Sequence, residues 1–238
     1  MITTVNDKIV TVYEMTGNDV LIFLNNQVVS ELKPPADFPK LTAICNPKGR
    51  IIFTLILFSQ SETTYVAVDA SLGDNFLQYI NMRRFRMDVK INKSSVMLAI
   101  NNEPKQPDLN GDLVFTDDSD MSMAEADEFW LFMFKTGLPW ITSKSSENFI
   151  PQHLNLDQLA VIDFDKGCYP GQEIVARLHF LGKVKKRMKY IQYRAEQAYV
   201  INSKVQLPEY NEPLEFCAPT VLHQGKWHSQ AIISTKNS

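Results

Sequence analysis

One short segment of the chain carries the residues whose types and spacing best suit chemistry. It reads Lys-Gly-Cys-Tyr-Pro-Gly-Gln-Glu and runs from Lys166 to Glu173. The Pro-Gly pair predicts a turn and the residues after it favour a helix, so Cys168 is expected just before a helix N-terminus. Unpaired N–H groups there favour the thiolate, which is the reactive form of cysteine. Such a thiol could be a nucleophile, a metal ligand or a redox group, and a buried structural cysteine is an equal alternative.

Charged neighbours act on this thiol in opposite directions. Lys166 and Arg177 bring positive charge that would lower the pKa of Cys168, whereas the carboxylate of Glu173 would raise it. The residue types therefore predict a tuned cysteine without deciding its protonation state.

The remaining residues of the segment are suited to holding a small ligand. Gly167 and Gly171 permit backbone conformations closed to larger residues and let a ligand approach the chain. Gln172 and Glu173 offer an amide and a carboxylate, which suit a ring with mixed donors and acceptors such as a pterin. A capped helix start with an ion-paired Glu173 is the simpler alternative.

A basic run follows the segment and places five positive charges within seven residues: Lys183, Lys185, Lys186, Arg187 and Lys189. These side chains could contact the phosphates of RNA or the carboxylates of a polyglutamylated ligand. The alternative is a solvated strand face, and no aromatic residues are interleaved to strengthen the RNA interpretation.

Composition limits the class of protein. The chain has 238 residues, 45% of them apolar, and a formal net charge of −3, so it can bury a core and has no global field that attracts nucleic acid or membrane. Its three cysteines are widely spaced, which argues against a disulfide framework or structural zinc and favours a reducing compartment. No secretory signal or membrane span is indicated, and a cytoplasmic location is expected.

The apolar pattern predicts an α+β chain in which strands and helices alternate. Strands are predicted over 8–13, 41–45, 50–58, 64–68, 89–91, 96–100 and 113–115, and more short strands follow residue 188. A Pro- and Asp-rich stretch over 101–120 predicts a linker or exposed loop. The expected units are an N-terminal α+β unit over 1–100, a central unit over 101–180 and a short C-terminal β-module over 181–238.

Start and stop signals place the helices. Thr16 or Asn18 is expected to cap the first, and a second is expected over about 72–85. Ser122 and Glu125 form a predicted capping box for the third, which Gly137 would close. A short helix is expected after residue 155.

The octet from Lys166 to Glu173, continuing Ile-Val-Ala-Arg, resembles the signature of the YgfZ family. This family comprises folate-binding relatives of the glycine-cleavage T-protein, an aminomethyltransferase. Further matches are Gly-Leu-Pro-Trp-Ile at 137–141, Phe-Ile-Pro-Gln at 149–152 and the turn Cys-Asn-Pro-Lys-Gly-Arg-Ile at 45–51. The matches occur in order between residues 10 and 190.

The resemblance implies an aminomethyltransferase-like fold, with small α/β units around a central folate channel and a C-terminal β-barrel-like module. It implies tetrahydrofolate as ligand and an accessory role in assembly or repair of iron–sulfur proteins, with an indirect effect on tRNA modification. Iron–sulfur enzymes or assembly proteins are the expected partners, with transient tRNA contact through the basic run. Cys168 is the implied functional thiol, tuned by Lys166 and Arg177. The residues expected to hold folate are Gln172, Glu173, Gly167, Gly171, Tyr169, Phe129 and Trp130.

One departure bears on catalysis. Aminomethyltransferases carry acidic residues where this sequence has Phe53 and Thr54, and neither residue can be negatively charged at neutral pH. Aminomethyl transfer is therefore disfavoured. A folate-dependent one-carbon transferase or demethylase remains an alternative, and an RNA- or protein-binding scaffold is another.

Overall fold

The computed structural model describes residues 2–33, 39–101 and 112–235. Within these ranges the chain forms three β-sheets and four α-helices, which confirms the predicted α+β class. Half of the predicted linker, with Pro104, Pro107 and Gly111, lies outside the described residues. No helix in the described ranges is long and apolar enough to cross a membrane.

The first sheet has five antiparallel strands in the order β3-β4-β5-β2-β6. The strands are β2 (Val10–Thr16), β3 (Lys40–Cys45), β4 (Ile51–Gln60), β5 (Thr63–Asp69) and β6 (Lys90–Lys93). The apolar run of β4 is almost wholly buried because the strand lies inside the sheet. Helix α2 (Gly73–Arg83) packs Phe76, Tyr79 and Ile80 inward, as its period predicts.

Helix α1 spans Val20–Asn25, and neither Thr16 nor Asn18 caps it as predicted. Strand β2 continues to Thr16 because its pairing with β5 and β6 extends that far. Asp19 is the N-cap residue, but its carboxylate accepts a hydrogen bond from the backbone N–H of Asp88 (2.7 Å) instead of capping the helix. Long-range pairing has overridden the local capping signal here.

The second sheet has the strand order β8-β7-β1-β9. Its strands are β1 (Ile2–Val5), β7 (Met97–Asn101), β8 (Leu113–Thr116) and β9 (Met123–Ala124). The first strand of the chain thus pairs with strands beyond residue 96, so this sheet draws on both sides of the boundary predicted at residue 100.

Helix α3 (Ala126–Thr136) begins later than the sequence predicts, and the capping box at Ser122 and Glu125 is wrong. Glu125 is itself the N-cap residue, and its reciprocal partner is Glu128. The carbonyl of Ser122 instead accepts from the backbone N–H of Thr4 (2.9 Å), because β9 pairs with β1. The predicted stop is confirmed, since Gly137 closes the helix with φ 70°.

The third sheet forms the C-terminal module. Its antiparallel strands are β10 (Lys186–Tyr193), β11 (Lys204–Val205), β12 (Leu214–Phe216), β13 (Val221–His223) and β14 (Lys226–Ser234). As far as the structure describes the chain, these strands form an open sheet instead of a closed barrel. The module is joined to the central part by Gln230, whose amide donates to the carbonyls of Met133 (3.1 Å) and Leu138 (3.0 Å).

Candidate functional site

The cysteine segment forms a loop that leads into helix α4 (Gln172–Leu181). Cys168 lies three residues before the N-cap Gly171 and is exposed. The other two cysteines are buried, and burial raises the pKa of Cys45 to about 12 and that of Cys217 further in the same direction. Cys168 is therefore the cysteine whose thiol can meet a molecule from outside, and the two buried thiols are held in the unreactive protonated form.

Two glycines hold the cysteine loop against the turn between β3 and β4. Gly171 has φ 82°, and a Cβ added there would lie 2.5 Å from the carbonyl oxygen of Asn46 and 2.8 Å from the Cα of Gly49. A Cβ on Gly49 would meet Ile174 at 2.9 Å. The two motifs that were separate in the sequence therefore pack backbone to backbone. Gly167 is different, because a Cβ there would meet nothing within 4 Å.

Lys166 ties the same loop to the end of helix α1. Its ammonium donates to the carbonyls of Asn25 (2.6 Å) and Val28 (2.7 Å) and lies 5.3 Å from the ring centroid of Tyr169. Burial lowers the pKa of Lys166 to about 8, although Asp163 and Glu31 oppose the shift. The charge of this lysine is thus directed at carbonyl groups at the end of a helix, where cations are favoured.

The other polar residues of the segment have distinct surroundings. Gln172 donates from its amide to the carbonyl of Lys166 (3.3 Å) and closes the loop on itself. Glu173 and Arg177 are exposed and form no ion pair with a described residue within 4.0 Å. Tyr169 is buried, which raises the pKa of its phenol, and its hydroxyl has no partner among the described residues.

A cavity of about 480 Å³, which we call the central cavity, lies away from the cysteine loop, where the first sheet, helix α3 and the C-terminal module meet. Its walls include two aromatic rings, one acid and two lysines: Trp130, Tyr199, Asp69, Lys8 and Lys144. Of the two predicted ligand residues on helix α3, Trp130 lines this cavity. Phe129 is fully buried behind it, edge-on to Trp130 (5.5 Å between centroids). None of the five predicted ligand residues in the cysteine loop lines the cavity.

Asp69 is the buried acid of this cavity, and the sequence analysis missed it. It ends β5, and its carboxylate accepts from the backbone N–H of Ser71 (3.0 Å) and from the Ser71 hydroxyl. The backbone N–H of Ser143 in turn donates to the Ser71 hydroxyl oxygen (3.0 Å). Burial raises the pKa of Asp69, and the bonds from Ser71 oppose the rise. An Asp-x-Ser sequence directly after a buried strand was the available signal.

The buried indole N–H of Trp140 lies beside this carboxyl and helps to hold down the pKa of Asp69. Trp140 is not among the residues that line the cavity, so its N–H serves the carboxyl from behind the cavity wall.

Phe53 and Thr54 in β4 stand at the positions where an aminomethyltransferase is expected to carry acidic residues, and here both side chains belong to the core. Phe53 is buried edge-on to Phe76 (5.4 Å) and Tyr79 (5.6 Å). Thr54 is also buried, and its hydroxyl oxygen accepts from the backbone N–H of Ile141 (2.8 Å). Both side chains are therefore committed to packing. The described residues also hold no group of three or more His, Cys, Asp or Glu placed to bind a metal ion.

The basic run does not form one face. Arg187 makes a two-bond ion pair with Asp157 and Lys186 pairs with Glu215 (3.3 Å). These two residues are neighbours in β10, and successive strand residues point to opposite faces. The remaining lysines are exposed and without an ion pair among the described residues: Lys183, Lys185 and Lys189.

Comparison with solved structures defines the class of fold. Glycine cleavage system aminomethyltransferase T from Bartonella henselae superposes on 98% of this chain and 78% of its own length, with a TM-score of 0.65 at 10% identity. The chain therefore has the aminomethyltransferase-like fold that its motifs predicted. No family model matches the sequence.

The sequence relatives are more specific. A protein named tRNA-modifying protein YgfZ from Hamiltonella defensa is 25% identical over 92% of this chain and 80% of its own length. The protein of that name from Yersinia enterocolitica is also 25% identical, over 81% of this chain and 71% of its own length. That from Colwellia psychrerythraea is 43% identical over 26% of this chain and 19% of its own length. The chain is thus a relative of the YgfZ family, and the predicted resemblance is confirmed.

Proposed function

We propose that this chain is a YgfZ-type accessory protein that binds a reduced folate in the central cavity and acts through Cys168 in the maturation of iron–sulfur proteins. An effect on tRNA modification follows indirectly, through the enzymes that depend on such clusters. The observation that carries the proposal is the buried carboxyl of Asp69 in an aromatic-lined cavity between three parts of the fold.

The cavity fits the chemistry of tetrahydrofolate. A pterin ring presents an amino group and a ring N–H, and a carboxylate such as that of Asp69 can accept hydrogen bonds from both. Trp130 and Tyr199 offer aromatic surface for the ring. Lys8 and Lys144 can pair with the carboxylates of the glutamate tail. The volume falls within the range of about 300–1,000 Å³ that small-molecule sites occupy.

When bound, tetrahydrofolate would supply a carrier for one-carbon units. This chain's own residues bind and orient the ligand, and neither Phe53 nor Thr54 can stabilise a developing positive charge. A non-catalytic or weakly catalytic role is therefore favoured over aminomethyl transfer. This chemistry supports the accessory function over the transferase alternative.

Cys168 is assigned to a separate step on the surface. Its exposure supports transient contact with a cluster, a sulfur species or a partner disulfide. A cluster bound here would need its other ligands from outside the chain, because the two remaining cysteines are buried. Gln172 and Lys166 hold the loop that presents the thiol, and Glu173 and Arg177 are available to a partner.

A folate titration of the full chain tests the proposal. Tetrahydrofolate binding would be measured by calorimetry and tryptophan fluorescence on the wild type, on Asp69→Asn and on the control Glu173→Ala. We expect Asp69→Asn to weaken binding about 10-fold or more, because it removes a charge-assisted hydrogen bond worth about 1.5–3 kcal/mol. Glu173→Ala should bind as the wild type does. The opposite order would move the folate site to the cysteine loop, and an absence of binding by the wild type would refute folate binding.

A further inference from the structure

The C-terminal end of helix α2 presents a surface that the folate and cysteine sites do not use. Four neighbouring side chains are exposed there, and together they form what we call the Arg–Phe turn: Met82, Arg83, Phe85 and Arg86. Phe85 is 83% exposed and Met82 64% exposed, which is unusual for such large apolar residues. None of these four residues lines the central cavity.

The backbone holds the Phe85 ring out in solvent. Phe85 has φ 41°, a left-handed conformation that costs an ordinary residue roughly 1–2 kcal/mol. Hydrogen bonds on either side maintain the turn, since the Arg84 guanidinium donates to the carbonyl of Val89 and the N–H of Met87 donates to the carbonyl of Arg84 (2.8 Å). Such strain persists only where the surrounding structure enforces it.

The turn is also strongly basic. The Arg83 guanidinium lies 3.8 Å from the ring centroid of Tyr79, and that of Arg86 lies 5.3 Å from the ring centroid of Phe85. Neither arginine forms an ion pair with a described carboxylate within 4.0 Å. In a chain of net charge −3, this is a local concentration of positive charge.

Asp88, which follows the turn, and Asp19, which contacts Asp88, are both engaged in hydrogen bonds. Asp88 accepts hydrogen bonds from the backbone N–H (3.0 Å) and side-chain amide (3.1 Å) of Asn18. Asp19 accepts from the backbone N–H of Asp88 (2.7 Å). These carboxylates join the start of α1 to the segment between α2 and β6, and neither forms an ion pair with the guanidinium groups of the turn.

We infer that the Arg–Phe turn is a binding surface for unpaired RNA. A nucleobase would stack on the exposed face of Phe85 while Arg83 and Arg86 contact the adjoining phosphates. Aromatic rings with flanking cations are the common means by which proteins bind single-stranded nucleic acid. Charge complementarity selects a polyanion, and a single exposed ring selects one with flat, accessible bases.

The C-terminal end of α4 also exposes large apolar residues, but it lacks the open ring that the Arg–Phe turn has. Phe180 and Leu181 are exposed there, but Phe180 packs edge-on to Phe164 and Leu181 is aliphatic. Phe85 stacks on no other aromatic ring among the described residues, and with only the Arg86 guanidinium near one face of the ring, the other face is open to a base. The turn also carries three arginines.

The test is a binding measurement with the full chain. A fluorescein-labelled oligouridine of about 12 nucleotides, within the site sizes that such surfaces cover, would be titrated by anisotropy from about 50 to about 200 mM salt. Phe85→Asn keeps a residue that tolerates positive φ and removes the ring, and Phe85→Trp restores an aromatic face. We expect Phe85→Asn to weaken binding roughly 5- to 150-fold and Phe85→Trp to retain it.

The arginines are tested by the salt dependence. In the double variant Arg83→Gln with Arg86→Gln, log affinity should depend less steeply on log salt. The magnitude of the negative slope should decrease by roughly 1.4, or about 0.7 for each phosphate that the variant no longer neutralises. The control Lys135→Gln with Lys226→Gln changes two exposed lysines outside the basic run that form no ion pair with a described residue, and it should leave affinity and slope unchanged. Circular dichroism and the unfolding midpoint would establish that each variant is folded.

Several outcomes would overturn the inference. They are failure of the wild type to bind the oligonucleotide, unchanged binding by folded Phe85→Asn, and equal affinity for a fully paired duplex, which offers no base face. Displacement of the oligonucleotide by an acidic peptide at equal concentration would indicate a protein partner instead. Tetrahydrofolate should not alter the RNA affinity, so the result stands apart from folate binding.

Discussion

Gly171 and Gly49 lie so close that a side chain on the first would come within 2.8 Å of the Cα of the second. The loop that carries Cys168 is thereby held against the turn between β3 and β4. Lys166 holds the same loop to α1. The exposed thiol is therefore presented by a segment fixed at both ends to the first part of the fold.

Replacing Gly171 with alanine should destabilise the fold. The variant would combine a left-handed conformation, worth about 1–2 kcal/mol, with a clash against the carbonyl of Asn46, and overpacking costs about 1–3 kcal/mol. We expect the free energy of unfolding in urea to fall by about 2–5 kcal/mol. Gly167→Ala is the matched control, because a Cβ there meets open space, and its change should stay within about 0.5 kcal/mol. Equal effects would mean that the close packing is not present in solution.

Lys166 should contribute to the pH dependence of stability. Its pKa is lowered to about 8 in the folded state from an ordinary 10.5, so the unfolded chain binds more protons between these values. Stability should therefore rise with pH across this window. The free energy of unfolding of wild type minus that of Lys166→Met should increase between about pH 8 and about pH 9.5. A constant difference would show that the ammonium is not desolvated.

Thiol labelling should distinguish the three cysteines. In the native protein, Ellman's reagent should react with one thiol, Cys168, and denaturant should expose the other two. Cys168→Ser should therefore abolish the rapid native reaction and leave the unfolding midpoint within a degree or so of the wild type, because the side chain is exposed. Rapid labelling of Cys168→Ser would show that a buried cysteine opens readily to solvent.

Folate affinity should depend on the ionisation of Asp69. Burial raises the pKa of its carboxyl above the ordinary 3.8, and the ionised form is the better acceptor for ring N–H groups. Affinity should consequently be lost as pH falls through the raised pKa. Calorimetry across acidic pH would check this, with the unfolding midpoint recorded at each pH. Asp69→Asn should remove the pH dependence of folate affinity. If that variant still lost affinity as the pH fell, another group would be responsible for the pH dependence.

Much of the secondary structure could be predicted because its causes are local. Period-two and continuous apolar runs identified the strands of the first sheet, and Gly137 identified the end of α3 through its left-handed conformation. The failures lie where a distant strand competes for the same backbone. Thr16 stayed in β2, and Ser122 accepted a hydrogen bond from Thr4 instead of starting a helix.

By itself, the sequence determined the α+β class, the likeness to the YgfZ family and the candidate thiol, because each depends on residues adjacent in the chain. Only the tertiary structure decided which groups share a site. Asp69, Trp130 and Tyr199 come from separate parts of the chain, and their meeting around one cavity depends on how sheets and helices pack. Burial decided the rest, since it committed Phe53 and Thr54 to the core and left Cys168 and Phe85 in solvent.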